Sequence, residues 1–102
     1  MELSLNELRG FLAGGPKGHG FEVGQKLFFR TVTYHITGEI TSVDGDFVTL
    51  KDAAWIADSG RFADAIRTGE YAEVEPLPDG WRVNVTAVTD CGPVSTLPMT
   101  QK

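Results

Sequence analysis

The sequence has one cysteine, two histidines and no long apolar run, and each shortage closes a class of explanation. A lone Cys91 cannot form an intramolecular disulfide. Together with His19 and His35 it falls short of the four closely spaced N or S ligands of a structural zinc site, so no metal is expected. No apolar stretch approaches the ~20 residues that span a bilayer, so no membrane partner is expected. Met1-Glu2-Leu3-Ser4 lacks the basic flank and apolar stretch of a signal peptide, and synthesis in the cytosol is the expectation. Cations are also short, with 9 Lys and Arg against 14 Asp and Glu and a net charge of −5. Nucleic-acid affinity comes mostly from neutralised phosphates, so a nucleic-acid partner is not expected.

What is present fits one ordinary globular domain: 102 residues, 41% hydrophobic and 23% charged. The charge is uneven. Arg9, Lys17, Lys26 and Arg30 face three acids within residues 1–35, whereas the remainder carries five cations and eleven acids. A basic arm on an acidic body can pair with a second copy, although solvated faces explain the same numbers.

Leu3-Ser4-Leu5-Asn6-Glu7-Leu8 carries three agreeing signals of a helix start. Ser4 can cap the free amides, Glu7 can bond back to the Ser4 amide, and Leu3 can staple onto Leu8. Leu5, Leu8 and Leu12 then share a face, with Phe11 beside them, until Gly14-Gly15-Pro16 stops the helix. A helix of about nine residues is not stable alone, so this stripe needs a partner. GGPKGHG, residues 14–20, lacks the Gly-Lys-Ser/Thr ending of a phosphate-binding loop and follows no apolar strand. It reads as a hinge, and no cofactor is expected.

From Leu27 the apolar period becomes two. Phe28, Val32, Tyr34, Ile36 and Ile40 share one face with Arg30 and Gly38, while Phe29, Thr31, Thr33, His35, Thr37, Glu39 and Thr41 share the other. The pattern predicts one long half-buried strand, bent at Gly38. A two-residue Asp44-Gly45 loop then sets core against solvent. A three-residue loop, Val43-Asp44-Gly45, pairs Ile40 with Val48, places Gly45 in a left-handed position, and sets Leu50 against the open space at Gly38. Ala53-Ala54-Trp55-Ile56 is read as a core corner, with Trp55 as an alternative interface anchor. A short helix follows, capped by Asp58 or Ser59, with Phe62, Ala65 and Ile66 on one face and Gly69 as its stop. Leu77-Pro78-Asp79-Gly80 is read as the turn of a second hairpin, with Trp81, Val83, Val85 and Ala87 inside. Residues beyond Gly92 show two prolines and no period.

These elements predict a mainly β (α+β) fold: a small bent antiparallel barrel, SH3-like or Sm-like, with one inserted helix and an N-terminal helix. A flatter sheet with the helix laid across it is the alternative. The chain divides into an arm and hinge (1–20), a β-rich body (21–91) and an extended C-terminal arm (92–102).

Asp58-Ser59-Gly60 raises the one enzymatic possibility, a homodimeric aspartic protease sharing a proton between two Asp58 carboxylates. Arg61 follows where such proteases carry a small residue, and the triplet opens a helix rather than joining strands. The helix-cap reading is preferred and no catalytic residue is assigned.

FFRTVTYHITGEI (28–40), FVTLKDAAWIADSGRFADAIRTGEYAEVEP (47–76) and VNVTAVTD (83–90) resemble a group of small bacteriophage proteins. They share the Leu-x-x-Ala-Ala-Trp-Ile-Ala-Asp-x-Gly-Arg-Phe core and the Gly-Glu-x-x-Glu-Val-Glu-Pro segment. The resemblance covers residues 27–90 and implies a virion setting after synthesis in the host cytoplasm. A non-enzymatic capsid cement or decoration protein is then the expected function. Its partners would be copies of itself or other virion proteins, met through Leu5, Leu8, Phe11, Leu12, Phe29 and His35. A free cytosolic binding module is the alternative.

Overall fold

The computed structural model describes residues 17–102. The expected N-terminal helix, with Leu5, Leu8, Phe11 and Leu12, lies outside the described residues, as does the first part of the glycine-rich segment. One antiparallel sheet of six strands dominates, with a single α-helix among the described residues. The strands are β1 (Lys26–Thr31), β2 (His35–Asp44), β3 (Phe47–Asp58), β4 (Glu73–Pro76), β5 (Trp81–Asn84) and β6 (Val88–Pro93). The helix α1 spans Phe62–Thr68.

The single long strand expected from Leu27 is instead a hairpin of β1 and β2, with Arg30 opposite His35. Its turn contains neither glycine nor proline, and Thr31 supplies the geometry. The Thr31 amide donates to the Tyr34 carbonyl at 2.9 Å, and its hydroxyl donates to that same carbonyl. The hydroxyl oxygen also accepts from the amides of Thr33 and Tyr34. A side chain thus replaces the usual turn residues. Val32, read as core, sits at the tip and is 87% exposed.

The next turn also departs from expectation. Asp44 pairs with Phe47 and Val43 with Val48, so the loop is Gly45-Asp46. Gly45 has φ +60° and leads the loop, the arrangement that a type II′ turn requires. The expected pairing of Ile40 with Val48 is not found: Thr41 is an extra residue between the Ile40–Leu50 and Ser42–Thr49 pairs, so Ile40 faces Leu50 and Val48 faces Val43. That bulge returns Ile40 to the core face. A second bulge, at Asp52–Ala53 of β3, lies opposite Gly38 and holds Asp52 at φ +51°.

β4 and β5 do not pair with each other. Both run antiparallel to β3, β4 along Ala54–Asp58 and β5 along Phe47–Leu50. They form one interrupted strand, and Leu77–Gly80 is its interruption rather than a hairpin turn. The Leu77 amide donates to the Ala53 carbonyl, the Gly80 amide to Leu50, and the Asp52 amide to Asp79 Oδ1. The expected hairpin fails because β3, with twelve residues, is long enough to template both segments.

Asn84 and Val88 are separated by at most ~14 Å of chain. The edges of a flat sheet with strand order β5-β3-β2-β1-β6 would stand ~19 Å apart. The sheet must therefore curl, and the 3-10 turn Val85–Ala87 spans its seam. β5 and β6 make no ladder with each other, so the sheet does not close into the expected barrel.

The curled interior is filled by Leu27, Phe29, Ile40, Val48, Leu50 and Val83, among others. A second cluster, Phe28, Ala54, Ile56, Ala65, Tyr71 and Val74, lies on the outer face beneath α1. Both faces of the β1–β2 hairpin are consequently buried. Thr37 has no exposed surface, which corrects the polar face expected there. Gly69 ends α1 as expected, at φ +76°, with its amide bonded to Ala65 O. The expected side-chain cap is absent. Arg61 occupies the N-cap, and Asp58 Oδ1 instead accepts from the Gly60 amide at 2.8 Å, one turn too early to cap.

Two further segments lie on the body. Lys17–Gly20 form a 3-10 turn, and His19 Nε2 is 2.9 Å from Asp46 Oδ1. The Phe21 ring lies 5.8 Å from that of Phe29. Residues 94–102 contain no helix or strand, yet Val94 packs against the outer cluster and Lys102 exchanges backbone hydrogen bonds with Val74.

Candidate functional site

Three large aromatic side chains remain partly in solvent on one side of the molecule: Tyr34 (44% exposed), Trp55 (44%) and Trp81 (42%). Each has a different origin. Tyr34 ends the β1–β2 turn, Trp55 lies on β3 opposite Ile36, and Trp81 opens β5 opposite Leu50. Ile36 and Leu50 belong to the interior cluster, and paired residues share a face. Trp55 and Trp81 therefore line the mouth of the curled interior. With Thr33, Ile36 and Leu77 the three aromatics enclose a groove of about 560 Å³ whose lining is mainly apolar.

The gap exists because of the interruption in the outer strand. At Leu77–Gly80 the chain leaves the ladder, and the bulge at Asp52–Ala53 accompanies it. Nothing among the described residues fills the space, and the aromatic rings at its rim stay half-exposed. Trp55, read as core, is thus a groove residue. Tyr34 and Trp81, assigned to inner faces, join it.

A smaller pocket of about 130 Å³ adjoins the groove and shares Leu77 with it. It is lined also by Asp52, Ala53, Pro76, Asp79, Pro98 and Met99. Two carboxylates stand here without a cation among the lining residues. Glu75, opposite Trp55 on β4, accepts from Gln101 Nε2 at 3.3 Å and adds a third acid nearby.

The residues singled out in the sequence are distributed otherwise. Phe29 has no exposed surface, so its ring offers nothing to a partner; it was placed on an outer face by the false single-strand phase. His35 is half-buried, its ring 5.4 Å from that of Phe28. Asp58, Ser59 and Gly60 form a tight turn between β3 and α1, with the Asp58 carbonyl accepting from the Ala72 amide. Cys91 lies on β6 in no cluster with the histidines, and burial together with the Asp90 charge pushes its thiol pKa up. That is the opposite of an activated nucleophile. Among the described residues no three His, Cys, Asp or Glu side chains are grouped to hold a metal.

On the outer face of the sheet, Arg30 of β1 forms a bidentate pair with Asp90 of β6. The Arg30 guanidinium also lies 4.4 Å from the centre of the Phe62 ring, tying α1 to the β1–β6 edge. This is a clasp between elements rather than a pocket.

The groove was not legible as such, because aromatic residues at alternating positions signal a core face. One sign was available. Trp and Tyr each carry a polar handle, and three of them are better suited to a boundary than to a dry interior. Compared with known proteins, the chain matches no family model, no curated protein and no solved structure.

Proposed function

We propose that this chain is a non-enzymatic attachment protein of a bacteriophage particle, a capsid cement or decoration protein. In this reading its fold is an SH3-like or Sm-like barrel left open on one side. The opening, between Tyr34, Trp55 and Trp81, is its partner-binding surface. The observation that carries the reading is that groove: half-exposed tryptophans and a tyrosine around an apolar floor. Aromatic side chains of this kind are the residues on which binding energy concentrates at protein interfaces. The viral setting rests on the resemblance of residues 27–90 to small phage proteins.

Particle composition tests both halves. The protein is expected in purified particles of the phage that encodes it, at constant stoichiometry. Trp55→Ala and Trp81→Ala are expected to keep the native circular dichroism yet lose particle association roughly tenfold or more, as truncation of an aromatic anchor does. Absence of the wild-type protein from particles removes the virion setting. Full retention of both folded variants removes the groove from the attachment surface.

A further inference from the structure

We propose that the groove and the acidic pocket beside it form one bipartite site for an extended, basic polypeptide segment. Its apolar or prolyl side chains would lie among Tyr34, Trp55 and Trp81, and a lysine or arginine would enter beside Asp52 and Asp79. This rests on the groove being the partner-binding surface and names the chemistry of the partner.

Three observations select such an occupant. First, the two cavities are neighbours that share Leu77 as a wall. Asp52 stands three positions from Trp55 on β3, a span that the chain limits to ~10 Å across the bulge between them. About three residues of polyproline-type chain cover that distance.

Second, the charges are one-sided. Asp52 and Asp79 line the smaller pocket, Glu75 flanks Trp55, and no Lys or Arg among the described residues lines either cavity. Asp79 uses Oδ1 for the Asp52 amide, leaving its second carboxylate oxygen for a donor from outside. The exposed Met99 and Pro98 form an apolar wall along which the methylenes of a long cationic side chain can lie. A basic segment meets complementary potential here, and an acidic one meets repulsion.

Third, the backbone beside the cavities is already committed. The amides of Leu77 and Gly80 donate to β3, and that of Asp52 to Asp79. A ligand that needs a new strand ladder finds no partners among these groups. A segment whose own backbone stays solvated, and which binds through side chains on flat aromatic rings, needs none.

Intrinsic tryptophan fluorescence and amide chemical shifts would be followed while titrating the full chain with synthetic peptides. The probes are a proline-rich peptide with one arginine, the same peptide with glutamate for arginine, and a neutral version. The arginine peptide is expected to shift groove resonances and to bind roughly tenfold more tightly than the neutral one, with the glutamate peptide weakest. Its affinity should fall as salt is raised.

Trp55→Ala should abolish binding of all three. The double change Asp52→Asn with Asp79→Asn should bring the arginine peptide down to the affinity of the neutral one while leaving the latter unchanged. Asn tolerates the left-handed backbone at position 52, so this variant keeps the fold. Equal affinities for the three peptides, or shifts elsewhere on the surface, would overturn the proposal. If no peptide binds but Trp55→Ala still detaches the protein from particles, the groove receives a folded surface; the segment proposal then fails and the attachment reading stands. If Trp55→Ala remains attached while peptides bind as described, the attachment reading fails alone.

Discussion

Thr37 has no exposed surface, and its hydroxyl finds no hydrogen-bond partner among the described residues; the same holds for the hydroxyl of Tyr71. Thr37 pairs with both Phe28 and Ala54, which places it in the outer cluster under α1. A buried hydroxyl without a partner loses its hydration and gains nothing in return. Thr37→Val keeps the branched shape that strands favour, and it should stabilise the protein by about 1 kcal/mol, measured by urea denaturation. A lower midpoint would show that the hydroxyl is satisfied after all. Gly38 presents the opposite case. A methyl group there would meet Leu50 Cδ1 at 2.9 Å and Leu50 Cβ at 3.0 Å, and Leu50 is fully buried. Leu50 pairs with Ile40 rather than with Gly38, but its side chain still fills the space expected for it at Gly38. Gly38→Ala should therefore destabilise by about 1–3 kcal/mol through overpacking, visible as a lower melting temperature.

At the scale of elements, two turns built from different chemistry set the sheet. Gly45 leads the β2–β3 loop at φ +60°, with open space where a side chain would go. The cost of a substitution there is backbone strain alone. Gly45→Val should cost about 1–2 kcal/mol, and Gly45→Asn distinctly less, since Asn visits this region more readily. Equal midpoints for the two variants would contradict the turn assignment. The β1–β2 turn has no such glycine and rests on Thr31, which is why alternation of apolar residues carried the strand reading straight through it. Between β1 and β6, hydrogen bonds from the Arg30 guanidinium hold the Asp90 carboxyl below its ordinary pKa. A carboxyl depressed in the folded state stabilises fully above its unfolded value, about 3.9, and this is lost as pH falls through the lower folded value. Wild type should thus exceed Asp90→Asn in stability at neutral pH, and the difference should shrink below pH ~4. A gap independent of pH would mean that the pair is not the cause. Both groups are well exposed, so the effect is small and salt-sensitive.

At the scale of the molecule, an open curled sheet carries two cores on its two faces and an aromatic groove at its unclosed side. The β-rich class, the left-handed glycines at 45 and 69 and the Gly38–Leu50 fit were determined by the sequence. Each depends on local backbone sterics or on the period of two, which neighbouring residues specify among themselves. The number of buried faces was not so determined. Phe28 and Phe29 are adjacent in the chain and both wholly or nearly buried, on opposite sides, because α1 returns to cover the outer face. Alternation alone registers one core, and the second depends on a helix folding back from more than thirty residues away. The pairing of β4 and β5 with β3 rather than with each other was likewise a tertiary decision, since a twelve-residue strand offers more ladder than a short hairpin does. From that pairing comes the break at Leu77–Gly80, and from the break comes the groove. The identity of Tyr34, Trp55 and Trp81 is written in the chain; their meeting at one opening is a consequence of long-range closure, for which no local pattern is a record.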